Sequence, residues 1–176
     1  HYIAILIKNF MTSNQSHKAL VFGSISIDKI INKYGTYNDV LGGSAAYALL
    51  ATKSKECQLV GMVGSDFPKH HYNLLGNHSI NLDDLKIKKG NTFAWGGEYA
   101  QDFSSRETLY VDPGVSEKFE PILSKDARQC DYLLLGNTHP KLQLAVLNQI
   151  ESEPFIILDT FKPVSYTHLT LPTNCV

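Results

Sequence analysis

A few short stretches of this 176-residue chain carry groups suited to chemistry on a small polyhydroxylated molecule. Asp28 closes "ALVFGSISID", where a carboxylate can accept hydrogen bonds from two neighbouring hydroxyls of a polyol. A turn or helix-cap aspartate accounts for the same residue. In "LGGSAAYALLA", Gly42 and Gly43 precede an alanine-rich helical segment; bare backbone there lets amides come close to a ligand while Ser44 caps the helix. An ordinary glycine turn with a cap reads the same way. In "TFAWGGEYA", Phe93, Trp95 and Tyr99 stand at i, i+2 and i+6, on one face of an extended strand. They either stack on a sugar ring or nucleobase, or form the small core of a sheet or a lid-to-lid dimer patch. Arg106 follows the next loop, placed to meet a phosphate, a carboxylate or simply water. Asn137 and Asp159 end two further apolar runs.

Strands and helices must alternate to bring these residues together. "ALVFGSISID" reads as a mostly buried strand ending near Asp28, and "CQLVGMVG", "CDYLLLGN" and "PFIILD" as further buried strands. Between them "LGGSAAYALLA", a segment from about Pro68 to Gly76, and "PKLQLAVLNQIES" have helical character; the last carries Leu142, Val146, Leu147 and Ile150 at helical spacing. Near-continuous apolar strands alternating with helices predict an α/β fold, a parallel sheet covered on both faces. Ligands of such sheets sit beyond the carboxyl ends of the strands, where Asp28, Gly42, Gly43, Asn137 and Asp159 fall in this reading. Two hairpins, about 29–41 and 91–112, form something separate from that sheet.

Composition narrows the classes. A chain with 43% hydrophobic and 19% charged residues buries one sizeable core. Its 16 basic and 17 acidic residues give no electrostatic case for nucleic acid or an acidic membrane. Three cysteines, Cys57, Cys130 and Cys175, lack metal-ligand spacing and fit a reducing compartment, so the cytoplasm is expected. "YIAILI" is too short to span a membrane, and no cleavage pattern follows it. His70 and His71 are adjacent and cannot face one metal from a helix, so they read as a solvated face and no metal site is expected. Neither a G-x-G-x-x-G after a strand nor a P-loop occurs, and no G-x-S-x-G elbow either. Both ends look foreign. Residues 1–18 read as a leader, in part non-native, with Met11 opening a polar start. Residues 163–176 include "VSYTHLTLPT", which resembles a translated sequencing adapter.

Taken in order, "GSISID", "LGGSAAYALLA", "LVGMVGSDFP", "NTFAWGGEY" with "RETLYVD", "DYLLLGN" and "IILD" resemble the ribokinase-like (PfkB) family of carbohydrate and nucleoside kinases over residues 19–162. The resemblance implies a three-layer αβα fold with a mostly parallel sheet and a small β lid, truncated here to its N-terminal portion. It implies an ATP-dependent transfer of the γ-phosphoryl to a hydroxyl of a sugar, with a nucleoside as the alternative acceptor, and Mg²⁺ bridging the phosphates. A non-catalytic sugar-binding or regulatory module on the same fold is a third reading. By resemblance Asp28 holds substrate hydroxyls, and Gly42 and Gly43 contact the substrate through the backbone. Tyr47 stands where the family commonly has a sugar-binding asparagine, which puts the identity of the acceptor in question. Asp159 would belong to the phosphate and Mg²⁺ environment. The family's base and anion hole come from a G-A-G-D segment that these residues do not contain. No catalytic residue is therefore assigned, and the fragment itself is expected to be inactive and poorly soluble.

Overall fold

The computed structural model describes residues 17–52 and 56–159. Residues 1–16, 53–55 and 160–176 lie outside the described residues, and with them most of the proposed leader and the whole of the proposed tail. The described chain is already anchored at its start: the Lys18 N–H donates to Asp131 Oδ2 at 2.8 Å, and the Lys18 carbonyl accepts from the N–H groups of Asp131 and Tyr132.

Five parallel strands form the main sheet in the order β5-β4-β1-β8-β9. They are β1 (Ala19–Phe22), β4 (Cys57–Gly64), β5 (Leu85–Lys88), β8 (Tyr132–Leu135) and β9 (Phe155–Leu158). The central strands are apolar throughout because both of their faces are covered. Alternate side chains serve different layers: Val21, Leu59 and Leu134 pack with Ala45, Ala46 and Leu49 of α1 (Ser44–Ala51) and Leu75 of α2 (Lys69–Gly76). Leu20, Phe22, Val60 and Leu133 pack on the other face against Phe119, Leu123 and Val146, the last from α3 (Pro140–Leu147). The result is the three-layer αβα arrangement expected. At about 25 cal/mol per Å² of buried apolar surface, these two interiors are the main source of stability.

Three departures from the sequence reading have physical causes. "ALVFGSISID" is not one strand: it breaks at Gly23 and Ser24 into β1 and β2 (Ser26–Asn32), which belong to different sheets. Its apolar alternation continues across the break, and the single glycine does not announce a change of sheet. Second, the first hairpin is longer than 29–41, running from Ser26 to Gly42, and the two hairpins join edge to edge. β2 pairs antiparallel with β3 (Gly35–Gly42), β6 (Ala94–Tyr99) pairs antiparallel with β7 (Arg106–Asp112), and β2 pairs parallel with β6. They therefore make one four-stranded lid sheet, β3-β2-β6-β7. Third, the edge strand β5 was not anticipated; "LKIK" is short, and its lysines read as surface.

A buried carboxylate ties β5 to the rest. Asp84, 1% exposed, accepts from Gln58 Nε2 at 2.6 Å, from the Ser124 N–H at 2.8 Å and from Ser124 Oγ at 2.7 Å. Beyond β7 a 3₁₀ turn (Gly114–Lys118) leads back over the second face. At the lid tip, Phe103 stacks on Tyr34 and meets Tyr99, with Lys33 Nζ over the rings of Tyr34 and Phe103. These contacts join the turns of the two hairpins. No helix among the described residues is long and apolar enough to cross a membrane.

Candidate functional site

The site begins where the lid grows out of the sheet. The chain leaves β1, passes Gly23 and Ser24 into β2, returns along β3 to Gly42, and enters α1 through Gly43. Two serines cross-link the outgoing and returning segments. The Ser44 N–H donates to Ser24 Oγ at 3.0 Å, the Ser24 N–H to Ser44 Oγ at 3.3 Å, and the two hydroxyls lie 3.2 Å apart. Ser44 Oγ also donates to the carbonyl of Asn137 at 3.4 Å, which brings the end of β8 into the same collar. The Ala45 N–H adds a bond to the Ser24 carbonyl.

This geometry corrects the expected role of Ser44. The serine is the first helical residue, Gly43 occupies the cap position, and no side chain caps the helix. Its hydroxyl is taken by the lid root instead. Gly43 lies at φ 97 and ψ 147, a conformation nearly confined to glycine. A β-carbon there would run into the Ser24 carbonyl, and one on Gly42 would collide with Asp28 Oδ2 and Ser26 Oγ. The close approach that demands bare backbone is thus made first by the chain itself.

Asp28 lies inside β2 rather than at the end of a core strand, yet its carboxylate rests against Gly42. Ser26, 2% exposed and two residues earlier on the same face, donates to it, as does the Trp95 backbone N–H. The other oxygen, Oδ1, is buried and has no hydrogen-bond partner. Burial raises the Asp28 carboxyl above its ordinary value of 3.8, while the hydrogen bonds from Ser26 and Trp95 work in the lowering direction. A half-buried acceptor with one empty position is a natural seat for a hydroxyl donor. Ser26 was missed in the sequence; its alternation with Asp28 in S-x-D was the available signal.

Trp95 pairs with Asp28 on one side and Val111 on the other, so the three share one face of the lid. The indole covers Gly97, where a β-carbon would strike the ring. Arg106 holds its guanidinium carbon 5.1 Å from the ring centroid, and Trp95 Nε1 donates to Thr108 Oγ1 at 3.3 Å. Phe93 lies just before β6, its carbonyl accepting from the Ile27 N–H. Tyr47 is in the first turn of α1 and 59% exposed.

Asn137 follows β8 and joins the collar through its carbonyl. Asp159 directly follows β9; Gln143 Nε2 donates both to its carbonyl and to that of Gly136, linking it to the collar's edge. The structure thus brings together Asp28, Gly42, Gly43, Ser44 and Asn137, sets Trp95 and Arg106 beside them on the lid, and leaves Tyr47 and Phe93 at the periphery. Among the described residues no three His, Cys, Asp or Glu gather to hold a metal ion. Asp159 stands without a second carboxylate, so the residues present do not form a Mg²⁺ site, and no chemical step is routed through one.

His71 also departs from its reading as a solvated residue: its Nε2 lies 2.7 Å from the Asp39 carbonyl, and its Nδ1 is buried.

No protein-family model and no curated protein sequence matches the chain. Solved structures do. The ribokinase of Cryptococcus neoformans var. grubii serotype A in complex with ADP superposes with a TM-score of 0.64 at 20% identity, over 84% of this chain and 50% of that one. A nucleoside kinase of Methanocaldococcus jannaschii, an archaeal member of the ribokinase family, gives 0.60 at 18% identity, over 81% and 52%. The Burkholderia thailandensis nucleoside kinase in complex with inosine gives 0.62 at 15% identity, over 80% and 52%. The chain spans about half the length of these structures. At such identities the likeness is one of architecture alone: this chain carries the ribokinase-like fold.

Proposed function

We propose that the chain is the acceptor-binding part of an ATP-dependent phosphotransferase that transfers the γ-phosphoryl group to a hydroxyl of a sugar. The observation that carries this reading is Asp28, whose buried Oδ1 lacks a donor beside the glycine collar. Ionised, that carboxylate accepts from sugar hydroxyls and fixes the ring against the start of α1. The resemblance places the catalytic base and the phosphate-binding amides in a G-A-G-D segment, which these 176 residues do not contain. The residues of this chain bind and orient, and no proton transfer is assigned to them. ATP and Mg²⁺ belong to the proposed reaction of the whole protein.

A nucleoside acceptor is the alternative, supported by the inosine complex of one structural neighbour. It would draw on Trp95 as a stacking platform. That ring lies over Gly97 on the lid and has Arg106 against it, so a stacked base would have to displace the arginine. This favours the sugar. All seven residues of β7 are exposed, which supports lid-to-lid pairing of two copies.

Calorimetric titration of ribose, hexoses and nucleosides against the wild type and Asp28→Asn tests the reading. A sugar that binds the wild type and is lost in the variant is expected. Equal affinity for both proteins would refute the role given to Asp28. The chain alone is expected to show no ATP-dependent phosphorylation.

A further inference from the structure

The lid meets the α/β domain at a second place, away from its root. His71, in the first turn of α2, sends its ring to β3, where Nε2 lies 2.7 Å from the carbonyl oxygen of Asp39. A carbonyl only accepts, so Nε2 carries the hydrogen of this contact. The other ring nitrogen, Nδ1, is buried and has no partner. The ring is held from its own side by His70, with centroids 4.0 Å apart, and by Phe67 at 6.1 Å.

The acceptor is at an unusual point of the lid. Asp39 has φ 56, one of two non-glycine residues with positive φ among the described residues. It sits where the β2–β3 register slips between Asp28 and Ile30, and it directly precedes Val40, the partner of Asp28. An extra residue in one strand bends it and increases its twist, so the bulge sets the direction in which Asp28 points.

A cavity of about 290 Å³ separates Ile27, Ala94, Tyr110 and Asp112 of the lid from Asp66 and Asn91 of the domain, and Asp28 also borders it. Without close contact across that gap, one directed bond beside it has a large effect on orientation.

We infer that His71 is a positioning residue: it pins the β3 bulge to α2 and so holds Asp28 in place over the glycine collar. Its use in acceptor binding rests on the function proposed above; the pin itself does not.

The test uses the whole chain with His71→Phe, which keeps the ring volume and removes the donor, and His71→Gln, whose amide restores a donor near the Nε2 position. Hydrogen exchange of the β2 and β3 amides and an NMR titration of the Asp28 carboxyl carbon are measured without ligand. In His71→Phe, lid exchange should rise about fivefold, the factor for one ordinary hydrogen bond, and the Asp28 midpoint should move toward its ordinary value. His71→Gln should restore both. Unchanged lid exchange in His71→Phe, an unmoved Asp28 midpoint, or a failure of His71→Gln to restore them would overturn the inference. Titration with the sugar panel then stands separately: a wild type that binds no sugar or nucleoside removes the functional reading and leaves the exchange result to decide the pin.

Discussion

Replacing Gly43 by alanine tests the glycine collar most directly. At φ 97 and ψ 147 an L residue costs roughly 1–3 kcal/mol. The new β-carbon would also meet the Ser24 carbonyl and the Ile25 backbone, which cannot rotate away as a side chain can. Overpacking of that kind adds roughly 1–3 kcal/mol. The sum is about 2–6 kcal/mol, a large part of the roughly 5–15 kcal/mol that stabilises a domain. For a chain of this length it lowers Tm by about 4–24 °C. Gly42→Ala should behave differently. Its neighbours are the side chains of Asp28 and Ser26, which can turn aside, so the stability loss is smaller, about 1–3 kcal/mol, while the carboxylate leaves its seat. Gly76→Ala is the control: it ends α2, meets Leu82 at an ordinary 3.4 Å, and should be neutral or stabilising by about 0.4–1 kcal/mol. Thermal melts of the three variants decide. A Gly43→Ala protein melting within about 2 °C of the wild type, or a Gly42→Ala protein less stable than it, would refute the assignment of the collar.

Other consequences are as specific. Burial raises the folded-state carboxyl value of Asp28, so its protonated form favours folding: that contribution is fully present below the ordinary value of 3.8 and is lost as pH rises through the raised folded value. Asp28→Asn should therefore be at least as stable as the wild type at pH 7, and chemical denaturation as a function of pH should show that relative advantage disappearing in acid. Removing the Asp84 side chain leaves the Gln58 and Ser124 donors without their acceptor, and Asp84→Ala should cost about 2–4 kcal/mol in urea unfolding; a loss under about 0.5 kcal/mol would contradict the structural role. Burial pushes the Cys57 thiol up to about 12 and the Cys130 thiol up to about 11. About one Cys130 in ten thousand is then thiolate at pH 7, so iodoacetamide followed by mass spectrometry should modify both residues only after unfolding. Trp95, the single tryptophan, lies under Arg106, and Arg106→Ala should shift its emission to the red; an unchanged spectrum would mean that the guanidinium does not cover the ring in solution.

The parts of this architecture that were legible in the sequence are those where burial leaves a simple pattern. "LVFG", "CQLVGMVG", "YLLL" and "FIIL" stand out because both faces of the central strands are covered or the run is uninterrupted, and the helices between them follow from apolar spacing. The lid root was illegible for the opposite reason. Ile25 faces the main core while Ile27 pairs within the lid, yet both extend the same apolar run, and the change of sheet at Gly23 and Ser24 leaves no break in polarity. "LKIK" failed because an edge strand needs only one partner and little burial. His71 failed because its acceptor, Asp39, lies 32 positions away in the lid sheet, while His71 itself is on a helix. The glycines were recognised as places of close approach, but residue type alone cannot say whether a ligand or the chain itself comes near.

That last distinction bears on how the site works. Gly23 and Gly136 each leave room for the Ser44 hydroxyl, and Gly42 leaves room for Asp28. One hydroxyl therefore sits where the end of β1, the end of β8, the lid root and the start of α1 converge. The lid carboxylate rests on the residue next to a glycine whose dihedral angles few other residues could adopt. The Asp28 backbone and the start of α1 are consequently held at a separation set by the chain's own contacts, in which the Ser44 and Ala45 N–H groups already donate to Ser24. In the function proposed above, the group left open to an entering acceptor is the Asp28 carboxylate rather than these amides. The glycines let the chain close on itself beside the place proposed for the acceptor.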